Sequence, residues 1–214
     1  MLITTINANI YKSFGGKTSM MKQEIVKILK DPEQIDLFEN PNYSRIVSIL
    51  RRGELTIKEI HTLFNKDYED KKTLTSIYRY METLLENDLV FVSKEELMKG
   101  HLIERYYSRT ALVFLFEDKK AEDLTINAAS ELLQKIYSLD TKRAEEFKKL
   151  LGELGRDMGK GGAKFLEKYG EEIFGLEKKY GFKAVTGAAK QFHQLLYYRD
   201  NPEMIDKIFA VLEG

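Results

Sequence analysis

Between Lys71 and Thr83 the chain gathers side chains that donate hydrogen bonds to oxygen: Lys71, Lys72, Thr73, Thr75, Ser76, Tyr78, Arg79, Tyr80 and Thr83. A guanidinium holds two acceptors at once, as on the O6/N7 edge of guanine, while hydroxyls and ammonium groups suit base edges or phosphate oxygens. Apolar Leu74, Ile77, Met81 and Leu84 recur at helical spacing, which predicts a helix from about Thr73 to Asn87. Steps of about 100° per residue then turn Thr75, Ser76, Arg79, Glu82 and Thr83 outward, flanked by Tyr78 and Tyr80. A second group of donors follows in Lys94, Lys99, His101 and Arg105, interleaved with Glu95, Glu96 and Glu104. Those four can meet phosphate or a minor groove, and Lys71 and Lys72 can meet phosphate at the start of the helix.

Covalent chemistry finds little to work with. Cysteine is absent, which removes disulfides, thiol nucleophiles and thiolate metal sites. His61, His101 and His193 lie far apart and have no ligand-spaced partner. No set of nucleophile, base and orienting group stands out. No catalytic residue, metal or cofactor is therefore expected, and the chain does not read as an enzyme. Gly15-Gly16-Lys17-Thr18 has the ending of a phosphate loop, but the position where its first Gly belongs is Tyr11. Gly159-Lys160-Gly161-Gly162 after Arg156 can bind an anion at a helix start, although a turn between two helices is the plainer expectation.

The elements that position the donors begin with the prolines. Pro32, Pro41 and Pro202 each follow Asp or Asn, the pairing of a capping side chain with Pro at the first helical position, so helices should start at all three. Met21, Ile25, Ile28 and Leu29 have the spacing of a short amphipathic helix before them. Ile46, Ile49 and Leu50 share one helical face. Thr56-Ile57-Lys58-Glu59 is a capping box ahead of a helix buried through Ile57, Ile60 and Leu63. A charged turn with Asp67, Glu69 and Asp70 leads into the donor-bearing helix. Val90-Phe91-Val92 then opens a strand, Leu102 to Tyr107 returns after a turn at Lys99-Gly100, and Leu112 to Phe116 reads as a further strand. From Glu122 onward the pattern is helical, with apolar clusters at Leu132–Tyr137, Phe147–Leu154, Phe165–Phe174, Phe192–Leu196 and Ile205–Leu212.

The 214 residues suffice for one large domain or two small ones, and 43% hydrophobic with 32% charged residues is an ordered, helix-rich composition. No apolar run approaches a membrane span and the first 20 residues lack a secretory pattern, so a cytoplasmic location is expected. Abundant Lys and Glu with 3 Pro and no Cys fit a thermophile. Lys and Arg total 34, as do Asp and Glu, so any anionic partner must be met by a local basic surface.

Asn40-Pro41-Asn42-Tyr43-Ser44-Arg45-Ile46-Val47-Ser48-Ile49-Leu50 resembles the first helix of ArsR-type winged-helix regulators. Glu54 to Ile60 is similar to that family's second-helix opening. Ser76 to Met81 and Asn87-Asp88-Leu89-Val90 resemble its recognition helix and exit into the wing, and Tyr106 to Thr110 resembles the end of the wing. About a third of the chain is covered. The turn before the recognition helix is longer and more acidic than the family pattern, and the cysteines of metal-sensing members are missing.

The resemblance implies a mainly α fold with a small β-hairpin wing: residues 1–39 an N-terminal arm with short helices, 40–118 a winged helix-turn-helix DNA-binding domain, and 119–214 a helical dimerisation or effector domain. It implies a transcriptional regulator that reads double-stranded operator DNA with the helix around Arg79, as a homodimer, under an unidentified small-molecule or protein effector. A winged-helix protein-interaction or assembly module, without sequence-specific DNA binding, is the alternative.

Overall fold

The computed structural model describes residues 10–12, 19–21 and 23–213. The Gly15–Thr18 motif lies outside them, as do residues 1–9 of the N-terminal arm. The chain is mainly helical with small sheets, and it divides into two compact units, Met1–Glu117 and Asp118–Gly214.

Unit 1 begins with β1 (Ile10–Lys12) and β2 (Ser19–Met21), which pair antiparallel. Strand β3 (Glu24–Leu29) follows, then α1 (Pro32–Glu39) and α2 (Pro41–Ile49), which runs into a 3-10 turn at Leu50–Arg52. Both helices start at their prolines. The Asp31 carboxylate accepts from Glu33 N–H at 3.0 Å, and the Asn40 side-chain oxygen accepts from Asn42 N–H at 2.9 Å. Next come β4 (Leu55–Thr56) and α3 (Ile57–Asn65), whose capping box is complete: Glu59 N–H donates to Thr56 Oγ1, and Thr56 N–H donates to the Glu59 carboxylate. Such a cap stabilises by about 1 kcal/mol. Helix α4 (Leu74–Glu86) leads through Asp88, in the left-handed region at φ 54°, into β5 (Val90–Leu97), β6 (Ile103–Arg109) and β7 (Ala111–Phe116).

Three strands form an antiparallel sheet in the order β4-β6-β5, with a bulge between Val92 and Lys94. Strand β7 leaves that sheet and pairs in parallel with β3, Val26 opposite Val113 and Leu29 opposite Phe116. Where a helix is expected over Met21 to Leu29, Glu24–Leu29 is therefore strand. Its spacing suits either state, and the β-branched Ile25, Val26 and Ile28 gain a partner more than 80 residues away that local periodicity does not show. Lys27 Nζ donates to the Asp88 backbone carbonyl at 2.6 Å, so β3 also holds the exit of α4.

The core of unit 1 joins α2, α3, α4 and the sheet through Ile46, Leu50, Ile60, Phe64, Ile77, Met81, Leu84, Leu89 and Val90, each at most 1% exposed. Leu74, expected inside, is 36% exposed because it sits at the first position of α4, beyond the packed turn.

Unit 2 comprises α5 (Lys119–Tyr137), α6 (Thr141–Gly175), α7 (Glu177–Tyr180), α8 (Phe182–Asp200) and α9 (Pro202–Glu213). The turn expected at Gly159–Gly162 is not there, because α6 runs through it for 35 residues. Neighbouring helices account for Gly152, Gly161 and Gly162, whereas Gly159 and Gly175 have open space beside them. A Cβ on Gly152 would stand 3.5 Å from Ile126 Cδ1, and one on Gly161 would stand 2.9 Å from His193 Nε2. The residues that weaken α6 locally thus let α5 and α8 approach its backbone. Arg143 ties α6 to α9, donating from Nε and Nη2 to the Val211 carbonyl at 3.0 and 2.8 Å.

Among the described residues no helix is long and apolar enough to cross a membrane, and no three His, Asp or Glu side chains come together as metal ligands.

Candidate nucleic-acid interface

Helix α4 is held on the unit by its buried Ile77, Met81 and Leu84, and the opposite face is open. Thr75, Tyr78, Arg79 and Glu82 are exposed there. Arg79 has no ion pair or hydrogen bond from its guanidinium to another described residue, so all its donors remain available. Thr73 and Ser76 sit at the N-terminus of α4 but are partly engaged: Ser76 N–H donates to Thr73 Oγ1 at 3.2 Å, and the two hydroxyls share a 2.9 Å hydrogen bond. Each keeps acceptor capacity, and the first-turn N–H groups face the same way. The Thr83 hydroxyl donates to the Arg79 carbonyl at 3.2 Å, leaving it an acceptor only.

Two expected members turn away. Tyr80 is half-buried, edge-on to Tyr43 with centroids 5.2 Å apart, and packs against the core. Lys72 is an anchor of the α3–α4 turn. Its N–H donates to Asn65 Oδ1 at 2.8 Å, its carbonyl accepts from Asn65 Nδ2 at 2.9 Å, and His61 Nε2 lies 3.0 Å from that carbonyl. Its ammonium group pairs with Asp70, which raises the Lys72 pKa. Lys71 is exposed and carries no ion pair to a described residue.

The β5–β6 hairpin divides its charges by position. Along the stem Arg105 Nε donates to Glu95 Oε1 at 2.8 Å, Lys94 pairs with Glu96, and Tyr106 donates its hydroxyl to Glu96 Oε2 at 2.9 Å. Lys94, and then the Tyr106 hydroxyl, hold the Glu96 carboxyl below the usual carboxylate range. Lys94 and Arg105 thus each have an acidic partner within the hairpin. Lys99 and His101 remain at the tip, exposed and without a partner among the described residues.

The structure thus brings Thr73, Thr75, Ser76, Tyr78 and Arg79 onto one helix face, with Lys71 just before it, and places Lys99 and His101 at a separate hairpin tip. Sequence reasoning missed β4, whose two residues are too short for any periodic signal. It also missed a cleft of about 610 Å³ between α2 and the α3–α4 turn. There the Arg45 guanidinium stacks 4.2 Å from the Tyr68 ring and donates to the carbonyls of Phe64 and Lys66 at 2.9 and 2.8 Å. Those bonds make Arg45 a brace for the turn. His193 packs on Gly161 and Gly162 beside Phe165, with its pKa lowered by burial, which is the behaviour of a packing residue.

No protein-family model matches the chain, and no curated protein matches it in sequence.

Proposed function

We propose that unit 1 is a winged helix-turn-helix domain of the ArsR type and that the protein is a transcriptional regulator binding double-stranded DNA. The observation that carries this reading is the place of β4. It lies between α2 and α3 and pairs Leu55 with Tyr107 and Thr56 with Tyr106, so the order helix, short strand, helix, helix, hairpin closes into one small sheet. In that arrangement α4 is the recognition helix and the β5–β6 hairpin is the wing. Arg79 reads a base edge, Thr75 and Ser76 contact base or phosphate, and Lys71 takes a phosphate.

A second copy of the chain is the partner of unit 2, because two-fold symmetry lets two recognition helices reach half-sites about one DNA turn apart. The acidic turn of Asp67, Glu69 and Asp70 favours a second reading, in which the same fold contacts another protein.

Anisotropy of a labelled 40-bp duplex separates the two readings. Binding should be measurable at about 50 mM salt and fall linearly with log salt, by roughly 0.9 log unit for each phosphate neutralised. Arg79→Ala should cost about 1–3 kcal/mol of discrimination between preferred and random sequences. Absent binding at low salt, or a flat salt slope, would remove the regulator and leave the protein-contact reading.

A further inference from the structure

We infer that the tip of the wing is an apolar wedge that enters the DNA minor groove and opens a base step. The inference rests on the duplex-binding reading above and adds a deformation of the DNA to it. Leu97 and Ile103 face each other across the last rung of the β5–β6 ladder, 73% and 58% exposed. One step further out, Met98 N–H donates to the Leu102 carbonyl at 2.7 Å, and these two side chains are 46% and 70% exposed. Successive strand residues point to opposite faces, so the hairpin ends apolar on both sides, and these four side chains stay exposed among the described residues. Turn tips are ordinarily polar, and four uncovered apolar side chains together are a surface awaiting a partner.

The charges around the tip indicate which partner. Glu95 and Glu96 are engaged by Arg105 and Lys94, whereas Lys99 and His101 are unpaired among the described residues and flank Gly100 in a turn with φ 86° at Gly100 and 62° at His101. The Lys99 ammonium and the His101 ring, set between the apolar pairs Leu97-Met98 and Leu102-Ile103, match a polymer whose phosphates border an apolar stack. Side chains of this kind are the ones that wedge between base steps from the minor groove and kink the duplex. A lipid surface fits less well, because a plane of anionic headgroups would also meet Glu104, which sits just behind the tip with no ion pair among the described residues, while a groove admits the tip alone.

The test uses the full chain with a 40-bp duplex carrying a fluorescence donor and acceptor about 18 bp, or roughly 60 Å, apart across the bound site, and a second copy of that duplex containing 2-aminopurine. Binding of the parent protein should raise both donor-to-acceptor energy transfer, from bending, and 2-aminopurine emission, from unstacking. Leu97→Ser with Leu102→Ser should bind about tenfold more weakly or worse, give neither rise, and keep the parent's salt slope. Lys99→Gln with His101→Gln should lower the salt slope instead. All four positions are exposed, and circular dichroism checks that the variants fold. Equal affinity and equal signals for the double Ser variant would overturn the wedge while leaving duplex binding intact, as would parent binding that moves neither signal. No duplex binding by the parent would overturn both readings. Unchanged duplex signals, with the double Ser variant alone released from phosphatidylglycerol vesicles, would assign the tip to a lipid surface and overturn the wedge.

Discussion

Replacing Phe64 with Ala is expected to cost unit 1 about 3–5 kcal/mol, a large part of the 5–15 kcal/mol that holds an ordinary domain together. Phe64 is fully buried at the C-terminal end of α3 and touches the cluster built by α2, α3 and α4. Its ring meets Tyr68 edge-on at 5.2 Å and lies 5.4 Å from the Arg45 guanidinium, so truncation opens a cavity and loosens the brace of the α3–α4 turn together. Calorimetry should show the transition of unit 1 falling by roughly 10–25 °C while that of unit 2 stays in place. Calorimetry suits the protein because it has no Trp to report by fluorescence. Leu74→Ala, at the exposed start of α4, is the matched control and should shift the transition little. A Phe64→Ala cost below about 1 kcal/mol would mean that the cluster is not the packed core described here.

The second large effect concerns assembly. Unit 2 leaves Leu124, Leu132 and Ile136 of α5 at 58–62% exposure, and Phe192, Leu195 and Tyr198 of α8 at 42–66%. On α5, with exposed Ala128 between them, they recur every fourth residue or its multiple, a straight ridge of the kind that packs against another helix. Such a ridge suits a second copy of the chain, because a self-complementary face is what a two-fold dimer uses. Light scattering of the parent should give twice the chain mass. Leu132→Ser with Ile136→Ser should give the chain mass, with duplex affinity weakened by at least tenfold because the two half-sites no longer act together. A parent that runs as a monomer, or a variant that stays dimeric, would rule out this face of α5.

What the sequence discloses and what it hides divide along one physical line. Asp31-Pro32, Asn40-Pro41 and the Thr56/Glu59 box act within four residues, and the helix starts they mark are where local chemistry puts them. The open face of α4 is equally local, since Ile77, Met81 and Leu84 fix which side is buried. Strand β3 escapes because its partner β7 is distant, and β4 because two residues carry no period. The length of α6 is obscured by its glycines, which read as breaks until Ile126 and His193 are seen filling the space. The site is altered by pairing in the same way: Lys72, Lys94 and Arg105 look like phosphate ligands in the sequence, but in the fold Asp70, Glu96 and Glu95 already hold them.

The parallel pairing of β3 with β7 also decides how unit 1 responds to a pull. Strand β3 begins just after Gln23 and β7 ends just before Glu117, and the two run the same way, so tension applied at Gln23 and Glu117 slides one along the other. Every rung from Glu24–Ala111 to Leu29–Phe116 is then loaded at once, as in a clamp under shear, and must yield together. The β5–β6 hairpin, pulled apart from its open end, would unzip one rung at a time. Drawn from Gln23 and Glu117, this part of unit 1 should therefore resist as a single mechanical block, with its lock at the seam of β3 and β7.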